Sequence, residues 1–252
     1  MKLLSWNVAG RTRVLPDQVR AVLRQEPDIV CLQEVRESTL PRWRDGLADA
    51  GLTEILDSDN RSERRLFNLT ASRWQLFELE ELALPQRERL LSVRVASDRG
   101  PVEVHNAHVP PAPSQGMNKV LTLETIFVAL AAPFAGYRIL CGDLNLPRAE
   151  FPDGTLETFA SNHPEDYERW DRAERLLLEM LEPWGLGDCF RQLNGYDRSD
   201  ISWAPVSGRA RGHRLDHILA SPGLNAVWCD YQHGWREAGF SDHSAIEAIF
   251  SP

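Results

Sequence analysis

The chain reads as an α/β protein, and two observations predict it. Short apolar runs of strand length, rich in Val, Ile, Leu and Trp, recur from residue 2 to residue 250. Segments with helical periodicity lie between several of them. A third observation permits a packed fold: 252 residues, 42% apolar and 26% charged, with 16 Gly and 16 Pro, give enough chain for a core. The same figures exclude collagen-like, coiled-coil and wholly disordered chains.

In order, the expected strands are Lys2 to Trp6, Ile29 to Gln33, Leu90 to Val95, Val102 to Asn106, Arg138 to Cys141, Leu215 to Ala220, Ala226 to Tyr231 and Ala245 to Phe250. The first expected helix, Pro16 to Gln25, opens with Pro in its first turn and stops before Pro27. The second, Leu40 to Ala50, ends at Gly51, a C-cap signal. The third, Lys119 to Ala132, carries Leu121, Leu123, Ile126, Phe127 and Leu130 at helical spacing, and Asp166 to Leu181 is a fourth before Pro183. Pro147 to Pro164, rich in proline and acids, reads as a surface loop. No Gly/Ser linker or repeat breaks the chain, so one domain spanning 1–252 is expected.

Lys+Arg is 28 against 37 Asp+Glu, a net charge of −9, which argues against a passive nucleic-acid coat. A carboxylate cluster that holds a cation would give the same sign. Among the basic residues only Lys2 and Lys119 are lysine. The start of the chain turns polar at Ser5 and Asn7, and its longest apolar run, Ile126 to Ala132, stops at Pro133. A cytoplasmic protein without membrane insertion is therefore expected, with the sequons at Asn60 and Asn68 unused. Cys31, Cys141, Cys189 and Cys229 form no CxxC and read as reduced core thiols. A monomer is expected.

The informative residues sit at the tips of the apolar runs. These are Asn7, Glu34, His108, Asp143 and Asn145, Asp216, and the Ser241-Asp242-His243 triplet. Singly, each suits ordinary turn chemistry, since Asp and Asn bond their own backbone. Together, strand ends converging on one rim would gather oxygens and imidazoles in one cleft. In an extended segment Asp143 and Asn145 project from one side and Leu144 and Leu146 from the other. Such an oxygen set suits Mg²⁺ better than softer metals. There is no GxSxG, HExxH, GxxxxGK or GxGxxG. His105 and His108 would face opposite sides of a strand, which makes His105 structural, and His163 and His233 read as solvated or bracing a loop.

Trp6-Asn7, Leu32-Gln33-Glu34, Gly142-Asp143-Leu144-Asn145, Arg214-Leu215-Asp216 and Ser241-Asp242-His243 resemble the ordered motif set of the endonuclease/exonuclease/phosphatase family, from residue 3 to about 250. The resemblance implies a four-layer α/β/β/α sandwich of two mixed sheets, with a phosphoester-hydrolysing site at one rim that uses Mg²⁺ or Mn²⁺. It assigns Glu34 as principal metal ligand, with Asn7 and Asp242 completing the metal side directly or through water. Asp143 would hold the attacking water, with Asp143 itself or a metal-bound hydroxide as the base. Asn145 would contact the scissile phosphate, and Asp216 would orient a cationic His243 against a phosphate oxygen.

The departures bear on substrate. His108 stands where abasic-site endonucleases carry Tyr, and resembles deoxyribonuclease I and the sphingomyelinases, where it serves as acid or phosphate ligand. Glu63 would be its acidic partner. Ser202-Trp203 and Gly212-His213-Arg214-Leu215-Asp216-His217 are similar to exonuclease III, but His213 replaces the Trp that lines an abasic-sugar pocket. Trp203 would line a substrate pocket or pack in the core. Arg214, with Arg209 and Arg211, would meet a flanking phosphate. The expected function is a divalent-metal phosphodiester hydrolase on DNA or other nucleic acid, exonuclease III-like. The alternatives are the same chemistry on a small or lipid phosphoester, or a catalytically silent binding protein.

Overall fold

The computed structural model describes residues 1–58, 66–111, 116–205 and 212–251. The strands, numbered along the chain, are β1 (Lys2–Asn7), β2 (Ile29–Arg36), β3 (Glu54–Asp57), β4 (Leu66–Ser72), β5 (Leu76–Glu78), β6 (Leu90–Ser97) and β7 (Gly100–His108). They continue as β8 (Tyr137–Asp143), β9 (Ala149–Glu150), β10 (Leu156–Glu157), β11 (Gly187–Asp188), β12 (Asp216–Ala220), β13 (Ala226–Gln232) and β14 (Ala245–Phe250). Two six-stranded sheets result, ordered β13-β14-β1-β2-β4-β3 and β11-β12-β8-β7-β6-β5. Each is mixed: β1 runs parallel to β2 and β7 parallel to β8, and the other pairs are antiparallel.

Strand alternation builds the layers. The inward residues of both sheets, among them Leu3, Ile29, Cys31, Val102, Val104, Ile139, Cys141, Ile218 and Ile246, form one buried core between the sheets. The opposite faces carry Leu4, Trp6, Val30, Leu32, Phe67 and Leu69 on the first sheet, packed against the helices Leu15–Leu23 and Leu40–Asp49. On the second sheet Ala107, Leu140 and Leu219 pack against the helices Asn118–Leu130 and Tyr167–Arg175. Three apolar interfaces separate four layers, the α/β/β/α sandwich.

All the expected strands form, and all four expected helices. The fourth is shorter than its periodicity predicts: it ends at Arg175, and residues 176–179 continue only as turns. The expected loop from 147 to 164 contains the small hairpin β9–β10. Unforeseen were β3, β4, β5 and β11, with the short helices Cys189–Asn194 and His233–Glu237, and β4 shows why. Its helix-facing side is apolar (Phe67, Leu69, Ala71), but Asn68, Thr70 and Ser72 alternate with it and are buried too. Asn68 donates to the carbonyls of Arg89 and Asn106 at 3.0 and 2.9 Å, so its sequon is inside the protein. Asn60 lies outside the described residues.

Beside Asn68 a second buried amide pair joins the sheets. Gln33 Nε2 donates to Asn106 Oδ1 at 2.8 Å, and Asn106 Nδ2 donates back to the carbonyls of Leu32 and Leu69 at 3.1 and 3.0 Å. All four cysteines are buried free thiols. Among the described residues no helix is long and apolar enough to cross a membrane.

Candidate active site

The site forms because of where inward-facing alternation runs out. Asn7, His108 and Asp143 are the last residues of β1, β7 and β8, while Asp216 is the first of β12 and stands opposite Asp143 in the ladder. His243 leads into β14, antiparallel to β1. Strands entering and leaving the same rim from two facing sheets thus place these groups together.

Local devices set each one. A bulge in β2 between Leu32 and Val35 turns Glu34 out of the ladder with φ +55°. Gly142 has φ +130°, and a Cβ there would lie 1.9 Å from the Ala107 carbonyl oxygen, so only glycine lets β8 approach β7 beside the His108–Asp143 pair. Asp143 and Asn145 share the cleft side, but through a turn rather than an extended run. Asn145 adopts φ +52°, its N–H donates to Asp143 Oδ1 at 3.1 Å and its Nδ2 to the Val109 carbonyl at 2.8 Å. Ser241 Oγ donates to the Asn7 carbonyl at 2.7 Å and accepts from the His243 N–H at 3.1 Å, clamping the Ser241–His243 segment to the end of β1.

His243 Nδ1 meets Asp216 Oδ2 at 2.8 Å, and the same oxygen accepts from Ser202 Oγ at 2.6 Å. On its other side, His243 Nε2 is 3.8 Å from Asp143 Oδ2. Burial disfavours a charge on His243, but the Asp216 and Asp143 carboxylates override it and raise its pKa to about 10. Asp143 is pushed up to about 7, first by burial, with Asp216 and Glu34 adding to the rise while His243 and the Asn7 amide oppose it. Asn7 Nδ2 donates to Asp143 Oδ2 at 3.0 Å and approaches Glu34 Oε1 at 3.4 Å. His108 Nε2 lies 3.5 Å from Glu34 Oε1 and 3.7 Å from Asp143 Oδ2. Burial, with the cations of Arg89 and His243, holds the His108 pKa well below its ordinary value, so these are contacts of a neutral ring.

Glu34, His108, Asp143, Asn145, Asp242 and His243 line a cleft of about 690 Å³. Trp203 forms part of its wall, donates Nε1 to Asp242 Oδ2 at 3.2 Å, and stacks on His213 with centroids 5.9 Å apart. Phe159 meets His213 edge-on at 5.3 Å. Arg11 faces Asp242 Oδ1 at 4.0 Å. Asp143, Asp216 and His243 bring ligand atoms within 4.8 Å of one another, a spacing that could hold a metal ion. Among the described residues, Asp216 Oδ1 and Asp242 Oδ1 are buried without a hydrogen-bond donor, and Asp143 is unwilling to ionise, so a hard cation fits the donor set on both counts.

Arg214 is not where the sequence placed it. Its guanidinium is buried and bonded to Glu150 at 2.6 and 2.7 Å and to Asp188 at 2.7 Å, behind the site, so it meets no phosphate in the cleft. The residues Glu63, Arg209 and Arg211 lie outside the described residues. His105 bonds Ser92 at 2.9 Å, away from the cleft, as its structural reading predicts. His163 stacks on Trp170 at 3.6 Å and His233 bridges Ser244 and Asp200 at 2.9 and 2.8 Å, both bracing local structure.

Sequence reasoning missed Ser202, Lys119 and Gly142 as supports of the site. Ser202 adjoined a Trp that drew the attention. Lys119 had a signal, being one of two lysines among 28 basic residues.

A four-layer sandwich with buried acids and two imidazoles at one rim defines the class of metal-assisted phosphoester hydrolases in architecture. The chain belongs to the endonuclease/exonuclease/phosphatase family, whose model matches residues 4–243. Exodeoxyribonuclease III of Haemophilus influenzae is 23% identical over 251 residues, 89% of each chain. The DNA repair nuclease APEX1 of Danio rerio is 27% identical over 98% of this chain and 81% of its own. An AP endonuclease from Archaeoglobus fulgidus superposes with a TM-score of 0.78 at 22% identity over the whole of both chains.

Proposed function

We propose that this protein is a divalent-metal-dependent hydrolase of phosphodiester bonds in DNA, exonuclease III-like. The observation that carries it is the juxtaposition of an Asp216-bound His243 imidazolium with a reluctant Asp143 carboxylate 3.8 Å away, beside Glu34 in one cleft. DNA as substrate is supported by the nuclease names of the two curated relatives.

Glu34, Asn7 and Asp242 would hold the metal, because His243, an imidazolium protonated on both nitrogens, has no lone pair to offer a cation. Mg²⁺ or Mn²⁺ there supplies charge neutralisation for the phosphate. The remaining work falls to the chain. Asp143 orients a water for in-line attack and accepts its proton, which suits a carboxylate whose pKa lies near neutrality. His243 opposes the charge that develops on a non-bridging oxygen, with Asp216 and Ser202 fixing its ring. One N–H of the Asn145 amide is spent on Val109, which would leave the other to donate to a phosphate oxygen. Neutral His108 donates to a phosphate oxygen. Trp203, with His213 and Phe159, makes the substrate wall, and the imidazole in it disfavours an abasic sugar relative to an apolar wall.

The test is Mg²⁺-dependent turnover across duplex, single-stranded and abasic DNA, RNA and bis-p-nitrophenyl phosphate. Glu34→Gln and EDTA should each abolish turnover. Activity indifferent to both would remove the reading, and activity on the small diester alone would shift the substrate class to a small or lipid phosphoester.

A further inference from the structure

We propose that Lys119 and Glu174 act as one positioning device for Asn145, and through it for the hydrolytic step. The inference rests on the hydrolase reading above. Both side chains have no exposed surface, and Lys119 Nζ lies 2.6 Å from Glu174 Oε1. The same ammonium donates to the Asn145 carbonyl at 2.8 Å. Glu174 Oε2 accepts the Phe159 N–H at 2.7 Å.

A buried ion pair adds little stability by itself, because removing two charges from water offsets their attraction. Its position suggests another use. Asn145 is a non-glycine residue at φ +52°, a conformation that persists only when its surroundings over-determine it. Side-chain bonds to Val109 and the backbone bond to Asp143 hold one half of the residue. The ammonium holds the carbonyl on the other half. Without it that carbonyl loses its charged donor, and the left-handed turn that sets Asn145 in the cleft wall is held by fewer bonds. The chemistry of the donor agrees. A chain that uses arginine at all but two of its 28 basic positions places lysine here, where a compact ammonium can meet a carboxylate and a carbonyl at once and a planar guanidinium cannot enter without displacing one of them. Glu174 is the anion that lets this ammonium be buried, and it lies on the helix Tyr167–Arg175 while Lys119 lies on Asn118–Leu130. The outer helical layer thereby reaches through the sheet edge to one reactive residue.

A double-mutant cycle tests this. The variant K119M/E174L removes both charges together, leaving neither unpaired. It is made in the parent chain and in N145A, and kcat and KM are measured for Mg²⁺-dependent hydrolysis of bis-p-nitrophenyl phosphate. In the parent we expect kcat to fall by about tenfold or more with KM within about threefold, the scale of loss that an ångström of misplacement brings. In N145A the same change should cost less than about threefold, because nothing remains to be positioned. A smaller loss in the parent, or an undiminished loss in N145A, overturns the inference. Where K119M/E174L shows no cooperative thermal transition, K119M/E174Q, which removes the ammonium but keeps an acceptor for the Phe159 N–H, is read against the same two limits. An active parent with an unimpaired variant overturns this inference alone, whereas a parent without metal-dependent turnover overturns the hydrolase reading with it.

Discussion

His243 and His108 line the same cleft, yet their partners hold them in opposite states. His243 faces Asp216 on one nitrogen and Asp143 near the other, and stays cationic. His108 is kept neutral first by its burial, with the cations of Arg89 and His243 adding to the effect. The division is useful chemically: one ring can oppose charge on phosphate, and the other can donate or accept a hydrogen bond without adding to the local charge. His243→Ala should therefore lower turnover by more than about 100-fold, the scale seen when a transition-state donor is removed. Measured on bis-p-nitrophenyl phosphate, a loss under tenfold would contradict the role given to His243.

At the scale of elements, two features should register in stability. Gly142→Ala places a methyl group against the Ala107 carbonyl between paired strands, and the backbone must part to admit it. We expect a loss of about 3 kcal/mol or more in urea unfolding, at the upper end of overpacking costs. Behind the site, Glu150 is bonded by both Arg191 and Arg214, and although burial alone would raise its pKa, these guanidinium groups lower it to about 2. Its folded pKa lies below its unfolded value near 4.5, so its contribution is complete above that pH and fades as pH falls toward 2. The contribution is on the order of 3 kcal/mol. Melting temperature should drop between pH 5 and 3 in the parent, and Glu150→Gln should be less stable at pH 7 with a flatter profile over that acid range.

The same scale shows what could be read from the sequence. Strands whose inward and outward faces are both apolar, such as Ile29 to Leu32 and Arg138 to Cys141, announced themselves by composition, and their polar tips announced the site. β4 did not, because its inner face is Asn68, Thr70 and Ser72, polar residues whose burial is justified only by partners on other strands. Arg214 misled for the complementary reason. A guanidinium next to a catalytic motif looks like a phosphate ligand until the carboxylates of Glu150 and Asp188, distant in sequence, are seen to occupy it. Asn145 sat where alternation predicted, but reached it through a left-handed turn that no periodicity encodes.

For the whole molecule, the net charge of −9 gives no general attraction to a polyanion. Binding of DNA must then rest on contacts near the cleft, and salt separates those from the chemistry. Between 50 and 200 mM salt, kcat/KM on duplex DNA should fall severalfold or more while turnover of the small diester changes little. Equal salt responses would indicate that the backbone of a nucleic acid is not engaged.

The reactive groups are divided between separate hydrogen-bonded layers: Asn7 and Glu34 belong to one sheet, and His108, Asp143 and Asp216 to the other. The Gln33–Asn106 amide pair spans the gap directly beneath them. Apolar contacts tolerate sideways slippage, whereas paired amides have a single register. That buried crosspiece therefore works as an alignment pin, and replacing both amides by leucines could leave a folded sandwich whose two halves of the catalytic apparatus no longer meet squarely.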